Sequence, residues 1–554
     1  MPGSSVPPAA DAADVVPRLT VRDPDAGLRI ASWFVVAFAC LQILTFSFGR
    51  DQGIYALVGE GLLHGQLPYR DLWDFKPPGI FFIYGLAQGL LGKSMLAPRL
   101  LEVAGLVAMV FSFGRLAQTF FDNRTVGYVG GALAALIHAQ LDFWHTGQPE
   151  TFGGYLTVFA LVATTADVNR KRRWLFYLLV GALFGAAFLM KPPLGGGALV
   201  CAAYLAKREQ VDKGVKAAIL PVALVALGGA LVVLLCGAFF ALKGGWSALS
   251  WTLFEFTPGY TSLGWEGQSA PQMLYHALEE SFFKFSALAA FGVIAAAAIS
   301  PIHGREREGV FLLLGIIALH VTGIAMQGKF FPYHYGATLP LIAFIAGLGL
   351  YKLWRRCLGG GAGGVAAYIG FVVVCIAMRE AARDLPQGFW GRAAIRLHYL
   401  VRAAPYATRE EMDRELAYVA DYNLDADRQV ALEIMSRTRP DERIFIWGFE
   451  PVIYWLADRK PSSRFIYDVP QRTEWQQEYA RKELLRDLHE HPPALFIVQR
   501  NDVFPSVTGR ASDSKVDLLA FPELLFWLEE RYDRGKTIED FEFYELRDLK
   551  VGSL

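Results

Sequence analysis

From residue 29 to residue 379 the sequence is a succession of apolar runs broken by short polar turns, and no other feature limits the fold as strongly. In hydrocarbon a backbone must satisfy its own N–H and C=O groups, so such runs enter a bilayer as helices. A crossing takes about 20 residues. Eleven spans are expected, at 29–49, 98–120, 125–142, 151–168, 174–191, 193–206, 216–242, 281–300, 310–328, 335–351 and 363–379. Some are short or glycine-rich, which membrane helices tolerate when neighbours bury them. A further apolar run, PGIFFIYGLAQGLLG at 78–92, has 15 residues and falls short of a crossing.

Basic residues arbitrate the count. Let the N-terminus lie in the cytoplasm and let 78–92 lie along the membrane surface. The Arg170–Arg173 cluster, Lys207, Arg208, Lys213 and Lys216, the Arg305/Arg307 pair, and Lys352, Arg355 and Arg356 then all fall in cytoplasmic loops, as the positive-inside rule asks. Counting 78–92 as a span would place every one of them outside. The expected architecture is a polytopic α-helical membrane protein of eleven spans plus an interfacial helix. The odd count puts the C-terminus outside the cytoplasm.

Charged residues are only 19% of the 554, against roughly 25% in ordinary globular chains, and they gather towards the C-terminal end. Three parts follow: a Pro/Ala/Asp-rich, disordered cytoplasmic N-terminus at 1–28, a membrane domain at 29–383, and an extracytoplasmic α/β domain at 384–554. Within the last, Ile444–Trp447, Phe465–Tyr467, Leu495–Val498 and Phe541–Leu546 read as short strands. Val452–Ala457, Glu474–Leu488 and Pro522–Tyr532 read as helices. This alternation suits a partly parallel sheet. It carries no glycine-rich phosphate loop and no nucleophile elbow, so its expected role is to recognise an acceptor or cover a site. The five cysteines all lie in or beside apolar runs, with neither disulfide nor metal spacing. A net charge of +0 gives no support to a nucleic-acid partner.

The ionisable residues of the membrane domain converge on one face, the outer one, and such groups at membrane depth usually mark a path or a site. Asp51 stands just beyond the first span, where it serves as a general base or as a helix-end anchor. Asp71 and Asp74, three residues apart, read as an acidic pair or as loop charges. Lys76 precedes Pro77-Pro78 and Lys191 precedes Pro192-Pro193; two Lys-Pro-Pro turns at one membrane level suggest an anionic headgroup held by two cations, with snorkelling as the plainer alternative. His145 and Glu150 lie in the second external turn, where Glu150 orients a substrate or caps its helix. Lys329, Tyr333 and His334 stand in another external turn beside Phe330 and Phe331. The 243–280 loop, rich in Trp, Phe and Tyr, is an anchoring belt or a sugar-stacking cover.

RDQGIYA at the end of the first span, HGQLPYRDLWDFKPPG, the Pro149-Glu150 turn and FLMKPPLGG together resemble the GT-C superfamily of integral-membrane glycosyltransferases. The likeness is greatest to the branch of bacterial aminoarabinose–lipid A transferases and protein O-mannosyltransferases. ERIFIWGFEPVIYWLADRKPSSRFIY resembles the tails of bacterial relatives. The resemblance implies a bacterial inner-membrane enzyme that takes a sugar from a polyprenyl-phosphate carrier and passes it, with inversion, to a glycan, lipid or protein acceptor. It implies Asp51 and Glu150 as the catalytic carboxylates. Lys76 would match the lysine that holds the carrier phosphate, and Lys191 a family lysine after the fifth span. Apart from the resemblance, Asp71, Asp74, His145, Lys329, Tyr333 and His334 are candidates for substrate binding by their place on the outer face. Gln52 stands where many relatives have Glu, which puts in doubt any metal-binding role there. No cofactor is expected, although the pattern leaves room for a divalent cation. The rival readings are a transporter, against which stands the want of midplane charges and inverted repeats, and a non-catalytic binder of lipid-linked glycans.

Overall fold

The structure is a computed structural model, and it describes residues 23–166, 172–281, 286–378, 388–419 and 422–547. Most of the expected disordered N-terminus, Arg170 and Lys171 of the basic cluster, and the expected domain boundary at 383/384 lie outside those residues.

A helix lies on each of the eleven expected stretches: α1 (Ala26–Leu44), α4 (Leu96–Phe121), α5 (Arg124–Gln140), α6 (Pro149–Thr165), α7 (Arg173–Met190), α8 (Gly197–Lys213), α9 (Ile219–Leu242), α13 (Ala287–Ala298), α14 (Gly304–Gln327), α15 (Leu339–Leu358) and α16 (Gly361–Met378). Among the described residues α1, α4, α7, α14 and the helical stretch Val215–Leu242 are long and apolar enough to cross a membrane. The protein is therefore a polytopic α-helical membrane protein with a C-terminal sheet domain. The short apolar run expected at the interface is α3 (Gly79–Leu91).

Two stretches outside the expected spans are helical. Arg50–Leu63 forms α2, and the 243–280 region folds as α10 (Trp246–Ser250), a π-helical turn (Trp251–Phe256), α11 (Thr257–Ser262) and α12 (Ala270–Glu279). The sequence hides α2 because almost all of it is buried, glycines and Gln52 included. A helix buried on every side shows no amphipathic stripe. One side of α2 meets α3 so closely that a Cβ on Gly59 would lie 2.6 Å from the amide nitrogen of Gly85, and another meets the C-terminal domain, where a Cβ on Gly53 would lie 2.6 Å from Val452 Cβ. Helices in lipid gain little from burying apolar surface against one another, so close backbone approach at small residues is how they bind.

The opposite end of the bundle gathers the groups assigned to the cytoplasm. Asp25 accepts from Asn123 (3.2 Å) and Tyr351 (2.8 Å) and lies 3.5 Å from Arg355, while Lys352 pairs with Glu306.

The C-terminal part opens with α17 (Phe389–Leu400), α18 (Arg409–Glu415) and α19 (Leu424–Arg437). Five strands follow, β1 (Arg443–Trp447), β2 (Lys460–Pro461), β3 (Leu495–Gln499), β4 (Tyr532–Ile538) and β5 (Phe541–Leu546), in the order β2-β1-β3-β5-β4. β2, β1 and β3 are parallel, whereas β5 runs antiparallel to β3 and to β4. α20 (Val452–Ala457) links β1 to β2; α21 (Val469–Arg472) and α22 (Gln477–Glu490) lie between β2 and β3. α23 (Pro505–Thr508), α24 (Ser514–Leu519) and α25 (Pro522–Arg531) fill the interval from β3 to β4. Phe465–Tyr467, expected as a strand, is not one: Phe465 makes an isolated bridge to Trp73 of the membrane domain. The sequence also missed β4, whose solvent-facing YDRGKTI shows no alternation of burial.

The two parts dock along the face that carries α2. The Trp73 amide donates to the Arg464 carbonyl (2.7 Å), Trp455 Nε1 to Gln88 Oε1 (2.9 Å), Trp475 Nε1 to the Phe256 carbonyl (3.0 Å), and Lys93 Nζ to Asp458 (2.8 Å). On α17, Arg392 and Arg396 grip the buried carboxylate of Asp142.

Candidate active site

Asp51 sits in the first turn of α2, where the helix N-terminus favours a carboxylate. Its Oδ2 lies 3.5 Å from Lys76 Nζ and accepts from Gln148 Nε2 at 3.2 Å. Tyr55, one turn along α2, donates to Gln148 Oε1 at 2.8 Å and fixes the direction of that amide. The Asp51 side chain is 22% exposed and that of Lys76 15%, so both are sheltered yet open to a ligand. Burial works against the Lys76 charge, but the Asp51 carboxylate holds its pKa well above the usual lysine value.

Lys76 is held by its neighbours. Tyr69 OH donates to its carbonyl (2.8 Å), its own amide donates to Asp74 Oδ2 (3.2 Å), and Pro77 and Pro78 fix the chain beyond it. Asp74 also accepts from Tyr467 OH at 2.6 Å, and burial pushes its pKa up to about 6. Asp74 thus positions Lys76 and ties the C-terminal domain to the site. Asp71 does not join it. The 64–78 segment is not helical, so the three-residue spacing gives no shared face; Asp71 instead pairs with Arg70 (2.7 Å) and accepts from the Leu67 amide (2.8 Å), closing its own loop.

The second cation–carboxylate pair comes from α6 and α7. Glu150, in the first turn of α6, bonds Lys191 at the C-cap of α7. Glu150 is 1% exposed, and its Oε2 has no hydrogen-bond partner among the described residues. Burial is the main cause that brings Lys191 down to about 8, with Glu150 opposing and Lys76 adding to the shift. Tyr333 lies between the pairs: its ring centroid is 5.2 Å from Lys76 Nζ and 5.8 Å from Lys191 Nζ. His145 stacks on Tyr333 (6.0 Å) and His334 meets it edge-on (4.5 Å). Burial lowers His145 to about 3 and drives His334 well below its ordinary value, so both rings are neutral. Lys329 stands at the rim, spending its ammonium on the Ser506 carbonyl (2.6 Å) and on the Tyr260 ring (4.7 Å).

Asp51, Glu150, Lys76, Lys191, Asp74, His145, Tyr333 and His334 therefore share one cluster, Lys329 borders it, and Asp71 lies apart. Reasoning from sequence passed over Gln148 and Tyr55, and noted Gln52 only as a departure from similar chains. Gln52 accepts from the Gly49 amide (3.0 Å) and donates to the carbonyls of Trp144 (3.1 Å) and Thr146 (2.7 Å), pinning the external turn to α2. Beneath that turn, Arg99 bonds Glu102 (2.8 Å), Thr146 (3.0 Å) and the Ser47 and Phe143 carbonyls, while Glu102 accepts from the Gly147 amide (2.9 Å) and His138 (2.6 Å). This fully buried network sets the height of Gln148 and Glu150. No group of three or more His, Cys, Asp or Glu side chains is placed to hold a metal among the described residues.

The chain has the same fold as ArnT from Cupriavidus metallidurans: its crystal structure bound to undecaprenyl phosphate aligns with a TM-score of 0.53 at 13% identity, over 95% of this chain and 99% of that one. The apo structure of the same protein aligns with a TM-score of 0.50, again at 13% identity, over 94% and 97% of the two chains. At this identity the two alignments show a shared fold. The family model described as dolichyl-phosphate-mannose-protein mannosyltransferase matches residues 75–236, which run from the Lys76 turn through α9. No curated protein matches the chain in sequence.

Proposed function

We propose that the protein is a glycosyltransferase that moves a sugar from a polyprenyl-phosphate carrier to a glycan, lipid or protein acceptor. The carrying observation is the Asp51–Lys76 pair, 3.5 Å apart and partly exposed, with the Glu150–Lys191 pair across one tyrosine ring. The match to a dolichyl-phosphate-mannose transferase family and the undecaprenyl phosphate bound to the fold relative support a lipid-phosphate donor. In transfer, charge builds on the phosphate as the glycosidic C–O bond breaks. Lys76 and Lys191 neutralise it from fixed positions. As Lys76 turns to the phosphate it leaves Asp51 Oδ2, which accepts the acceptor's proton while the acceptor oxygen or nitrogen attacks the anomeric carbon in line. A single displacement inverts that carbon. Glu150, through Lys191, positions the second cation, and its unpartnered oxygen faces the chemistry of a sugar hydroxyl.

In this reading all eleven helices on the expected stretches cross the bilayer, α3 lies in the interface, and the cluster and C-terminal domain face outside the cytoplasm, in a bacterial inner membrane. Two observations favour the topology. The assigned outer groups gather with the C-terminal domain, and the assigned cytoplasmic groups meet one another at the far end. The test is transfer from polyprenyl-phospho-sugars by purified protein beside Asp51→Asn. Loss of one general base predicts a fall of ~10²–10⁴-fold with donor binding kept; undiminished transfer would remove Asp51 from the role.

A further inference from the structure

A second cavity, of about 220 Å³, lies within the C-terminal domain, with Arg50 of α2 as its link to the membrane domain. Its place in the fold is telling. β1 and β3 are parallel neighbours; from β1 the chain turns to β2 on one side, and from β3 the sheet continues to β5 on the other. The crevice beyond their carboxyl ends is thus a topological switch point, where open α/β sheets bind ligands. Glu450 follows the end of β1, and Gln499 and Asp502 stand at and beyond the end of β3.

The lining leaves several buried polar atoms unpaired among the described residues. Asp427, in the first turn of α19, is 1% exposed and Glu450 is 4% exposed; Glu450 Oε2 has no hydrogen-bond partner among the described residues, Asp427 Oδ2 has only the Tyr422 hydroxyl close by, and Arg500 Nε is likewise without a hydrogen-bond partner. Buried carboxylate oxygens are costly to leave unpaired. The buried guanidinium at this wall, Arg50, is already committed to Glu450 Oε1 (2.5 Å) and the Phe449 carbonyl (2.7 Å). Burial and the neighbouring Glu450 charge push Asp427 well above the usual carboxylate range, so the pair resists carrying two charges when empty. Unpaired oxygens on Glu450 and Asp427, beside the donor Arg500 Nε in the same lining, favour a ligand whose groups both accept and donate hydrogen bonds, as hydroxyls do. Phe504, half-buried in the lining, adds an apolar ring of the kind that packs on sugar C–H surfaces, whereas Tyr422 and Phe541, also in the lining, are nearly wholly buried.

We propose that this cavity is a carbohydrate-binding site, separate from the Asp51 cluster, which takes one neutral, hydroxyl-rich sugar residue through Asp427 and Glu450. Asp51 follows Arg50 in the chain, so the two sites stand back to back on the first turn of α2.

The test uses the full-length protein in detergent and a panel of methyl glycosides of neutral hexoses and pentoses, read by saturation-transfer NMR and calorimetric titration. Saturable binding of at least one glycoside is expected. It should weaken about tenfold or more in Asp427→Asn and in Glu450→Gln, each of which loses one hydrogen bond to the sugar. Asp51→Asn should leave it unchanged. Melting temperatures close to wild type establish that the variants are folded; Asp427→Asn is isosteric, and Glu450→Gln keeps the oxygen that holds Arg50. The proposal is overturned by no saturable binding of any glycoside, by binding of simple alkylamines but not sugars, or by affinity that both pocket variants leave intact. Binding lost in Asp51→Asn but kept in the pocket variants also overturns it, because the sugar would then sit in the other cluster.

Discussion

Lys191 is the residue whose chemistry is most exposed to pH. Burial brings it down to about 8, so its ammonium is charged below that value and is lost as pH rises through it. If Lys191 holds the carrier phosphate, kcat/KM for the donor should fall on the alkaline side with a midpoint near 8. Arginine stays charged throughout, so Lys191→Arg should move that limb upward by at least two pH units while retaining part of the activity. A pH–rate profile of both proteins checks this. Gln52 answers to a different force. Its amide donates to two carbonyls, and Gln52→Glu would set a buried carboxylate against both, at a cost of ~1–3 kcal/mol or more. A lowered melting temperature and reduced transfer are expected. At this scale the sequence was a good guide to charged residues. The two Lys-Pro-Pro turns marked Lys76 and Lys191 because proline fixes the chain beside each. At Asp71 it left an acidic pair and loop charges open, and the non-helical segment fits the second; it was silent on Gln148 and Tyr55, neutral groups whose roles exist only once α2 meets the 142–148 turn.

The element that organises the site is α2, pressed between α3 and α20. At Gly59 the contact is backbone to backbone, so Gly59→Val would force the helices apart. Overpacking of this kind costs ~1–3 kcal/mol. The expected outcome is a lower melting temperature together with weakened transfer, because Asp51 rides on the same helix; Gly65→Ala, where a Cβ meets nothing within 4 Å but φ is +80°, should affect stability less and leave the site in place. Thermal denaturation and a transfer assay on the two variants separate local strain from displacement of α2. Hydropathy located the long helices well, since lipid contact writes itself into composition. It failed for α2 and for the helices between 246 and 279, which are set by packing against the C-terminal domain as much as by lipid. In the tail the buried strands β1, β3 and β5 were legible, while exposed β4 was not, and Phe465–Tyr467 has strand composition because it packs on Trp73, not because it pairs in the sheet.

Across the whole molecule the charges are sorted to two ends, and this makes the orientation testable. One end carries the Asp51 cluster beneath the C-terminal domain; the other carries Asp25, Asn123, Tyr351 and Arg355. Lys352, Arg355 and Arg356 close α15 at that second end, and the positive-inside rule assigns them to the cytoplasm. Moving these charges across the membrane would be costly and would also carry the docked sheet domain to the wrong side. In a background with the five native cysteines replaced, Arg439→Cys places a thiol on the sheet domain, where Arg439 is 76% exposed, and Arg356→Cys places one at the exposed end of α15. A membrane-impermeant maleimide applied to intact spheroplasts should label Arg439→Cys fully and Arg356→Cys only after the membrane is opened. The reverse pattern would put the cluster in the cytoplasm, where a carrier-linked sugar displayed on the outer leaflet could not reach Asp51. Equal labelling of both positions before permeabilisation would break the odd-span topology itself, since an odd number of crossings is what separates the two ends.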